Sequence, residues 1–192
     1  MTTNQLNGTA HKILDAAQVM VMTEGFNAFS YKDLQNEVGV KTSSIHYYFP
    51  TKQDLAAALV ERHNEQFWQR LEEIDTEEQS GLGKIRMLGE LFVGIAAEGK
   101  FCLCGMLTSD VLSMSSDGTK ALKDFFHDTE RWLTDAIRQG IEEGEICDSI
   151  PPKEAATHFL ATLEGGILIA RIRKGEAYMQ SIVNQALSFL KK

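Results

Sequence analysis

The stretch "KTSSIHYYFPTKQDL", Lys41 to Leu55, combines a polar segment, a proline and a new helix start. Its spacing predicts a seven-residue helix from Thr42 to Tyr48, which is too short to be stable alone in water. We therefore expect Ile45 and Phe49 to anchor this helix on its neighbours while its polar side stays exposed. The sequence from Thr51 to Asp54 resembles a capping box and predicts where the next helix begins.

Two further helices are predicted ahead of this short one. The first starts near Thr9, carries apolar residues on one face and ends at Gly25. Ser30 caps the second, and Gly39 ends it. Three such helices, the third polar and preceded by a glycine-containing turn, are typical of a helix-turn-helix unit. In that unit the last helix enters the major groove of DNA.

The polar side chains of the third predicted helix are the candidate contacts to double-stranded DNA. Hydroxyl groups near its N-terminus can reach base edges or phosphates, and the histidine, tyrosine and lysine donors suit phosphate contacts. The candidates are Lys41, Thr42, Ser43, Ser44, His46, Tyr47 and Lys52. The alternative is that the tyrosines are half-buried packing residues and the hydroxyls are ordinary surface groups.

The rest of the chain also predicts helices, so the expected fold class is all-α. Apolar residues recur with a period of 3.6, and the sequence contains only three prolines and no convincing strand. A long helix is predicted from Lys52 to about Ile74, and further helices near residues 82–98, 102–113, 119–143, 152–172 and 175–190. Loops are expected at "TEEQSGLG" and "SMSSDG". We place the domain boundary between residues 1–52 and 53–192.

The charge distribution also divides the chain into two parts. A formal net charge of -8 argues against a polyanionic partner for the chain as a whole. Up to Lys52, however, lysines and acidic residues balance, so all the excess acid lies in the later part. No apolar run approaches the ~20 residues of a membrane-spanning helix and no secretion signal is recognisable, which predicts a cytoplasmic protein without a membrane partner. Its three cysteines are expected to be thiols.

The segment from Ile13 to Leu55 resembles the N-terminal domain of TetR-family transcriptional regulators. The matching features are the "ILDAA" opening, Gly25-Phe26, Ser30, Gly39-Val40, the "YYF" run and Lys52 with Leu55. The resemblance implies that Ser30 and Lys52 touch the DNA backbone. Two positions depart from the family pattern, namely Ser43, where a glycine is common, and His46 followed by Tyr47. The operator sequence therefore cannot be transferred from a relative.

The same resemblance implies a C-terminal domain that binds a small-molecule effector and forms a homodimer. In the family the last two helices pair with their symmetry mates as a four-helix bundle. Apolar residues at positions 159, 160, 163, 167 and 170 form one stripe, which we interpret as the dimer seam, with Gly165 and Gly166 permitting close approach. Burial of this stripe within the monomer is the alternative.

Aromatic, sulfur-containing and histidine side chains of the later part are candidate contacts to the effector, because small-molecule sites are mostly apolar. The candidates are Phe92, Phe101, Cys102, Met106, Phe126, His127, Trp132, His158 and Phe159. The run "FCLCGML" resembles a "GCLLGNL"-like run of one group in the family, which aligns Cys102 with that group's cysteine. A thiol there could react with an electrophile, although buried thiols are usually inert. Ordinary core packing is the alternative for each aromatic residue.

These observations predict a DNA-binding regulator, a homodimeric repressor that an apolar or electrophilic effector releases from a palindromic operator. A cysteine-dependent enzyme and a helical interaction module without DNA are the alternatives. The sequence has no phosphate-binding loop, no "HExxH" motif and no Gly-x-Ser-x-Gly nucleophile elbow. We therefore expect no enzymatic activity, no cofactor and no metal.

Overall fold

A computed structural model describes residues 8–192, and every regular element in that range is helical. The helices are α1 Gly8–Glu24, α2 Tyr31–Val38, α3 Thr42–Tyr48, α4 Lys52–Glu77, α5 Gly81–Ala97, α6 Leu103–Thr108, α7 Ser116–Glu142, α8 Pro152–Ala170 and α9 Glu176–Leu190. Short 3-10 turns occupy Phe26–Ala28 and Val111–Ser113. The predicted all-α fold class is confirmed. Within the described range, no helix combines the length and the apolar character that a membrane span requires.

The chain folds into two compact units. The first unit contains residues 8–66 together with Leu103–Phe125, and the second contains Phe67–Cys102 together with Phe126–Lys192. This division differs from the predicted boundary between residues 52 and 53. The physical reason is long-range packing, since α6 lies against α1 inside the first unit although it is far away in sequence.

The first unit is built around the helix-turn-helix. Ile13, Leu14 and Leu34 are fully buried on α1 and α2. Ile45 and Phe49 are buried as well, which is the anchoring that so short a helix as α3 requires. Burial of these two apolar side chains leaves the other side of α3 facing away from the core.

Reciprocal hydrogen bonds fix the starts of α2 and α4. Ser30 caps α2: its backbone N–H donates to Asp33 Oδ2 at 2.8 Å, and its hydroxyl oxygen accepts from the Asp33 N–H. At the start of α4 the Thr51 N–H donates to Asp54 Oδ2 at 2.9 Å, and the Asp54 N–H donates to Thr51 Oγ1 at 3.1 Å. Gly39 ends α2 in a left-handed conformation with φ 74°. These predicted caps are confirmed.

Close contacts at glycines hold the second unit together. A Cβ at Gly89 on α5 would lie 2.6 Å from Val183 Cγ1 on α9. A Cβ at Gly81 would collide with the backbone of α7 at Ala136 O and Gly140 N. The Gly81 N–H also donates to Glu143 Oε2 at 2.8 Å. The crossing of α5 with α7 is therefore a contact of backbone against backbone.

Two predicted elements differ from the structure between residues 102 and 119. The helix expected over residues 102–113 is interrupted: α6 ends at Thr108, and a separate 3-10 turn follows. Part of the loop expected at "SMSSDG" belongs to α7, because Ser115 Oγ accepts a hydrogen bond from the Gly118 N–H at 3.1 Å and so caps the helix. Gly118 is buried, and a Cβ there would lie 2.8 Å from Met114 Cε. Gly118 is therefore a buried residue of the first turn of α7 and not part of a loop.

The prediction that this apolar stripe of α8 forms the dimer seam is wrong, because the residues of the stripe are buried within the monomer. Those residues are Phe159, Leu160, Leu163, Ile167 and Ala170. Gly166 packs inside the chain too, since a Cβ there would lie 2.9 Å from Ile182 Cγ2 on α9. Gly165 has open space around its Cα. The apolar side chains exposed on α8, on α9 and on the turn between them are Leu168, Ile169, Ile172 and Phe189, here called the α8–α9 apolar surface.

Candidate nucleic-acid interface and effector site

The exposed side of α3 carries four side chains able to make polar contacts. Tyr47 is 80% exposed, and Lys41, Ser43 and His46 are exposed as well. We call these four residues the α3 outer face. The aromatic ring and hydroxyl group of Tyr47 extend into solvent on the side opposite Ile45, so the face has the chemistry of a nucleic-acid contact.

The other predicted hydroxyl contacts are engaged inside the first unit. Thr42 is half-buried, and both its hydroxyl and its N–H donate to Gln35 Oε1, the N–H at 3.0 Å. The Ser30 hydroxyl donates to Asp33 Oδ2 at 2.6 Å. Ser44 is half-buried. Hydrogen bonding thus commits Thr42 and Ser30 to holding α2 and α3 in place, although their oxygens keep acceptor capacity.

Tyr31, which the sequence analysis did not select, supports α3 from beneath. Its ring centroid lies 4.8 Å from that of His46, and its hydroxyl lies 2.8 Å from Phe49 O and 2.6 Å from Thr51 O. Burial, with a smaller contribution from Asp54, raises the pKa of the Tyr31 hydroxyl far above its ordinary value. Tyr31 therefore remains a protonated donor that ties α2 to the end of α3.

His46 has one ring nitrogen committed to the fold. Its Nδ1 lies 3.1 Å from Pro50 O. Because a carbonyl oxygen only accepts, Nδ1 must carry a proton for this hydrogen bond to form. In the neutral imidazole Nε2 is then the acceptor, and it is the nitrogen left for an outside partner.

Lys52 lies in an internal clamp. Its ammonium group donates to Phe29 O at 2.5 Å and to Phe26 O, and it stands 4.2 Å and 4.7 Å from the two ring centroids. Burial lowers the pKa of Lys52, and the charges of Asp110 and Asp33 oppose that shift. The Lys52 side chain is therefore engaged in hydrogen bonds to the turn between α1 and α2.

A second contact connects that turn with α6. Asn27 Nδ2 donates to Asp110 Oδ1 at 2.5 Å, and Asp110 lies two residues beyond the end of α6. Met106 on α6 is half-buried in the same unit, where its Cε lies 3.4 Å from the position of a Cβ at Gly25. Met106, a predicted effector contact, thus packs on the turn between α1 and α2.

The remaining predicted effector contacts lie in the second unit and differ in burial. Phe92, Cys102 and Phe159 are buried, Phe101, Phe126 and Trp132 are half-buried, and His127 and His158 are exposed. His158 and Phe159 share a groove of about 430 Å³ between α8 and α9. Trp132 Nε1 donates to Asp75 Oδ2 at 3.0 Å, which gives its indole a structural partner.

Cys102 contacts a residue that the sequence analysis missed, Glu164 on α8. The Cys102 thiol donates a hydrogen bond to the Glu164 carboxyl group, and Glu164 Oε1 is buried without a hydrogen-bond partner. Burial raises the pKa of Glu164 to about 7. A signal was available in the sequence: Glu164 is the one charged residue in the apolar run "FLATLEGGILIA".

The first unit also buries a titratable group that the sequence analysis missed, His63 on α4. Its ring lies 5.6 Å from that of Phe125. Burial, followed by the charge of Arg62, lowers the pKa of His63 to about 4, so the imidazole is neutral at physiological pH. Arg62 pairs with Asp15 at 2.7 Å. Across residues 8–192 no three His, Cys, Asp or Glu side chains are grouped as metal ligands.

Family models match both parts of the chain. The model "Bacterial regulatory proteins, tetR family" matches residues 13–59, and "Tetracyclin repressor-like, C-terminal domain" matches residues 81–186, more than half of the sequence. The chain therefore belongs to the TetR family of bacterial regulators.

Solved structures and a sequence relative agree with this assignment. A TetR-family regulator from Agrobacterium tumefaciens has a TM-score of 0.90 at 27% identity, covering 96% of this chain and 98% of that one. A TetR regulator from Legionella pneumophila has a TM-score of 0.85 at 28% identity, covering 97% and 100%. The nucleoid occlusion factor SlmA of Marinobacter nauticus is 29% identical over 155 residues, covering 80% of this chain and 77% of the relative.

The protein is a DNA-binding transcriptional regulator with an N-terminal helix-turn-helix. Regulators of this family bind DNA operators and small-molecule effectors, and they are typically dimers. The helix-turn-helix is the part of the first unit that carries the α3 outer face.

Proposed function

We propose that this protein is a homodimeric repressor whose two α3 helices bind a palindromic operator and whose effector releases it from DNA. The observation that carries the proposal is the α3 outer face, with Tyr47 80% exposed beside Lys41, Ser43 and His46. DNA offers phosphates and base edges that suit these exposed polar and aromatic groups.

The predicted DNA contacts divide into two roles under this proposal. Residues of the α3 outer face touch DNA directly, with Lys41 neutralising a phosphate and Tyr47 and Ser43 reaching the backbone or base edges. Ser30, Thr42 and Lys52 act mainly as positioning residues, because their donors are committed within the first unit. Ser44, half-buried on α3, completes the predicted set.

Dimerisation through α8 and α9 is the second part of the proposal. The α8–α9 apolar surface includes Ile172 at 82% and Phe189 at 74% exposure, too much apolar surface for an isolated chain in water. A two-fold partner would cover the same surface of both chains. The two α3 helices would then meet successive major-groove faces, about 34 Å apart or a related spacing.

Release by an effector is the third part. A compound that binds the DNA-incompetent form better shifts the equilibrium by its differential affinity, and a nearly complete switch needs a preference of about 10⁴-fold. The effector is expected to be apolar or electrophilic and to contact some of the predicted side chains. Among these, Phe159 lies on α8, Cys102 contacts Glu164 of α8, and Phe101 contacts Arg171 at its end.

The experiment starts by selecting bound duplexes from a random DNA pool and measuring affinity against salt. We expect affinity to fall steeply with salt, and Lys41→Ala to reduce the slope of log K against log salt by about 0.9 per lost phosphate contact. Tyr47→Ala is expected to weaken binding about tenfold or more. Lys153→Ala, an exposed lysine of the second unit, is the matched control and should change neither quantity. Unchanged binding by the Tyr47 and Lys41 variants would refute the proposed interface.

A further inference from the structure

The segment of residues 99–102, which precedes α6, contacts two side chains at the C-terminal end of α8. The Arg171 guanidinium donates to Gly99 O and lies 5.3 Å from the centroid of the Phe101 ring. The Cys102 thiol donates to the Glu164 carboxyl group. Residues 164 and 171 are two helical turns apart and so share one side of α8. The segment therefore runs along that side, with Glu164 at one end and Arg171 at the other.

Glu164 is the unexplained member of this arrangement. The residue is half-buried, yet its Oε1 is fully buried and has no hydrogen-bond partner. No ion pair to Glu164 occurs among the described residues, since Arg171 is directed at Gly99 and Phe101. A buried carboxyl oxygen without a partner is costly, and a fold normally avoids it.

A purely structural role accounts for only one of the two carboxyl oxygens of Glu164. One oxygen suffices to accept the hydrogen bond from Cys102, and a glutamine at position 164 would accept it without the cost of a buried acid. The neighbouring positions on α8, Leu160 and Ile167, are buried and apolar, so an apolar residue would fit the same side. The second oxygen is left for a partner that the chain itself does not supply.

We propose that Glu164 is the polar anchor of the effector site and that it selects an effector with an apolar body and a protonated amine. An ammonium group both donates a hydrogen bond to Oε1 and compensates the buried charge, whereas a neutral donor does only the first. An anionic effector would be repelled by the ionised carboxylate. The Phe101 ring on the same segment offers apolar contact. This inference rests on the proposed function, because an effector matters only to a ligand-responsive regulator.

Three probes with the same eight-carbon chain test the proposal on the purified full-length protein: octylamine, octanol and octanoate. Calorimetric titration at pH 8 is expected to give octylammonium an affinity at least about tenfold above those of octanol and octanoate. Glu164→Gln should lower octylammonium affinity to that of octanol. Glu142→Gln, an exposed glutamate at the end of α7, should retain the wild-type preference. A melting curve of each variant establishes that it is folded.

The pH dependence of binding separates a charge contact from a general apolar one. Burial raises the pKa of Glu164 to about 7, and the hydrogen bond from Cys102 opposes this shift. An amine of this kind stays protonated up to pH 8.5. Octylammonium affinity should therefore rise about tenfold per pH unit below pH 7 and level off above it. Glu164→Gln should remove this dependence.

The inference is overturned if octylammonium does not bind, if the three probes bind alike, or if Glu164→Gln leaves octylammonium affinity unchanged. The same preparations are tested against the selected duplexes. Salt-sensitive DNA binding combined with any of these three results overturns the amine-anchor inference and leaves the proposed function standing. Failure of every preparation to bind DNA counts against the proposed function itself.

Discussion

The two compact units expose surfaces of different chemical character and support them by different interactions. In the first, hydrogen bonds from Tyr31 and Thr42 fix a short helix whose outer face is polar and aromatic. In the second, α8 and α9 pack through glycines and aliphatic side chains and expose an apolar surface. The contrast teaches that exposure alone does not identify a partner. Donors around Tyr47 suit a polyanion, whereas the apolar surface around Ile172 suits another protein surface.

Each unit also contains a titratable group whose charged form is disfavoured by burial, and these two groups, His63 and Glu164, have opposite character. His63 in the first unit is a base that burial keeps neutral, with a pKa of about 4. Glu164 in the second is an acid whose pKa is raised by burial to about 7, so it is largely protonated below that pH. The units are therefore expected to respond to acid in opposite directions.

The largest predicted effect concerns the α8–α9 apolar surface. Leu168→Asp places a charge on a helix side that the proposed dimer buries, so each dimer would bury two uncompensated carboxylates. We expect the dimer dissociation constant to rise at least about 1,000-fold, measured by analytical ultracentrifugation over a dilution series.

The matched control is Leu112→Asp, a fully exposed leucine of the first unit outside that surface. It should leave the dissociation constant unchanged. Wild-type assembly of the Leu168 variant would show that the apolar surface serves another purpose and would remove the contrast between the two units.

The next effect is on stability against pH. Between about pH 4.5 and 7 the folded chain keeps a proton on Glu164 that the unfolded chain releases. The contribution of Glu164 to the free energy of unfolding therefore falls by about 3 kcal/mol as pH rises. Between about pH 4 and 6.5 the unfolded chain instead keeps a proton on His63 that the folded chain excludes. The contribution of His63 therefore falls by about 3 kcal/mol as pH decreases.

Urea unfolding from pH 4.5 to 7 measures both slopes as differences from wild type. Glu164→Gln should make the protein more sensitive to acid, and His63→Gln should make it less sensitive. The exposed-site variant Glu142→Gln is the reference and should follow the wild-type curve. Parallel curves for all four proteins would mean that neither buried group shifts its pKa on folding.

The smallest effect separates the two roles open to Lys52. Lys52→Met removes the donor that satisfies Phe26 O and Phe29 O, which should cost about 2 kcal/mol of stability. Lys32→Met, at an exposed position on α2, should cost little. Thermal unfolding and DNA affinity are measured on both variants. A Lys52 variant with wild-type stability and weakened DNA binding would place the side chain on the phosphate backbone, as the resemblance implies.

Local chemistry made much of the first unit predictable. Ser30, Gly39 and the Thr51–Asp54 pair mark helix ends through side chains only a few residues apart, so the sequence itself contains the interacting groups. The anchoring of α3 by Ile45 and Phe49 followed from its length. The site was less predictable, because the engagement of Lys52 depends on carbonyl groups more than 20 residues away.

Tertiary packing decided what the sequence could not. The apolar pattern of α8 marks two sides of the helix, and nothing local shows which one faces α9 and which one faces outward. Gly118 looked like a loop residue because its burial beside Met114 is visible only in three dimensions. The assignment of residues 103–125 to the first unit likewise depends on α6 meeting α1.

The junction of Gly81 with α7 has a consequence for how this chain can diverge. Even a methyl group at position 81 would meet main-chain atoms, which cannot rotate aside as a side chain does. The side chains of the proposed effector site, in contrast, can be exchanged in directed evolution without meeting main-chain atoms. A library that randomises this glycine would instead be depleted of folded members, so the junction is the part of the second unit to hold constant.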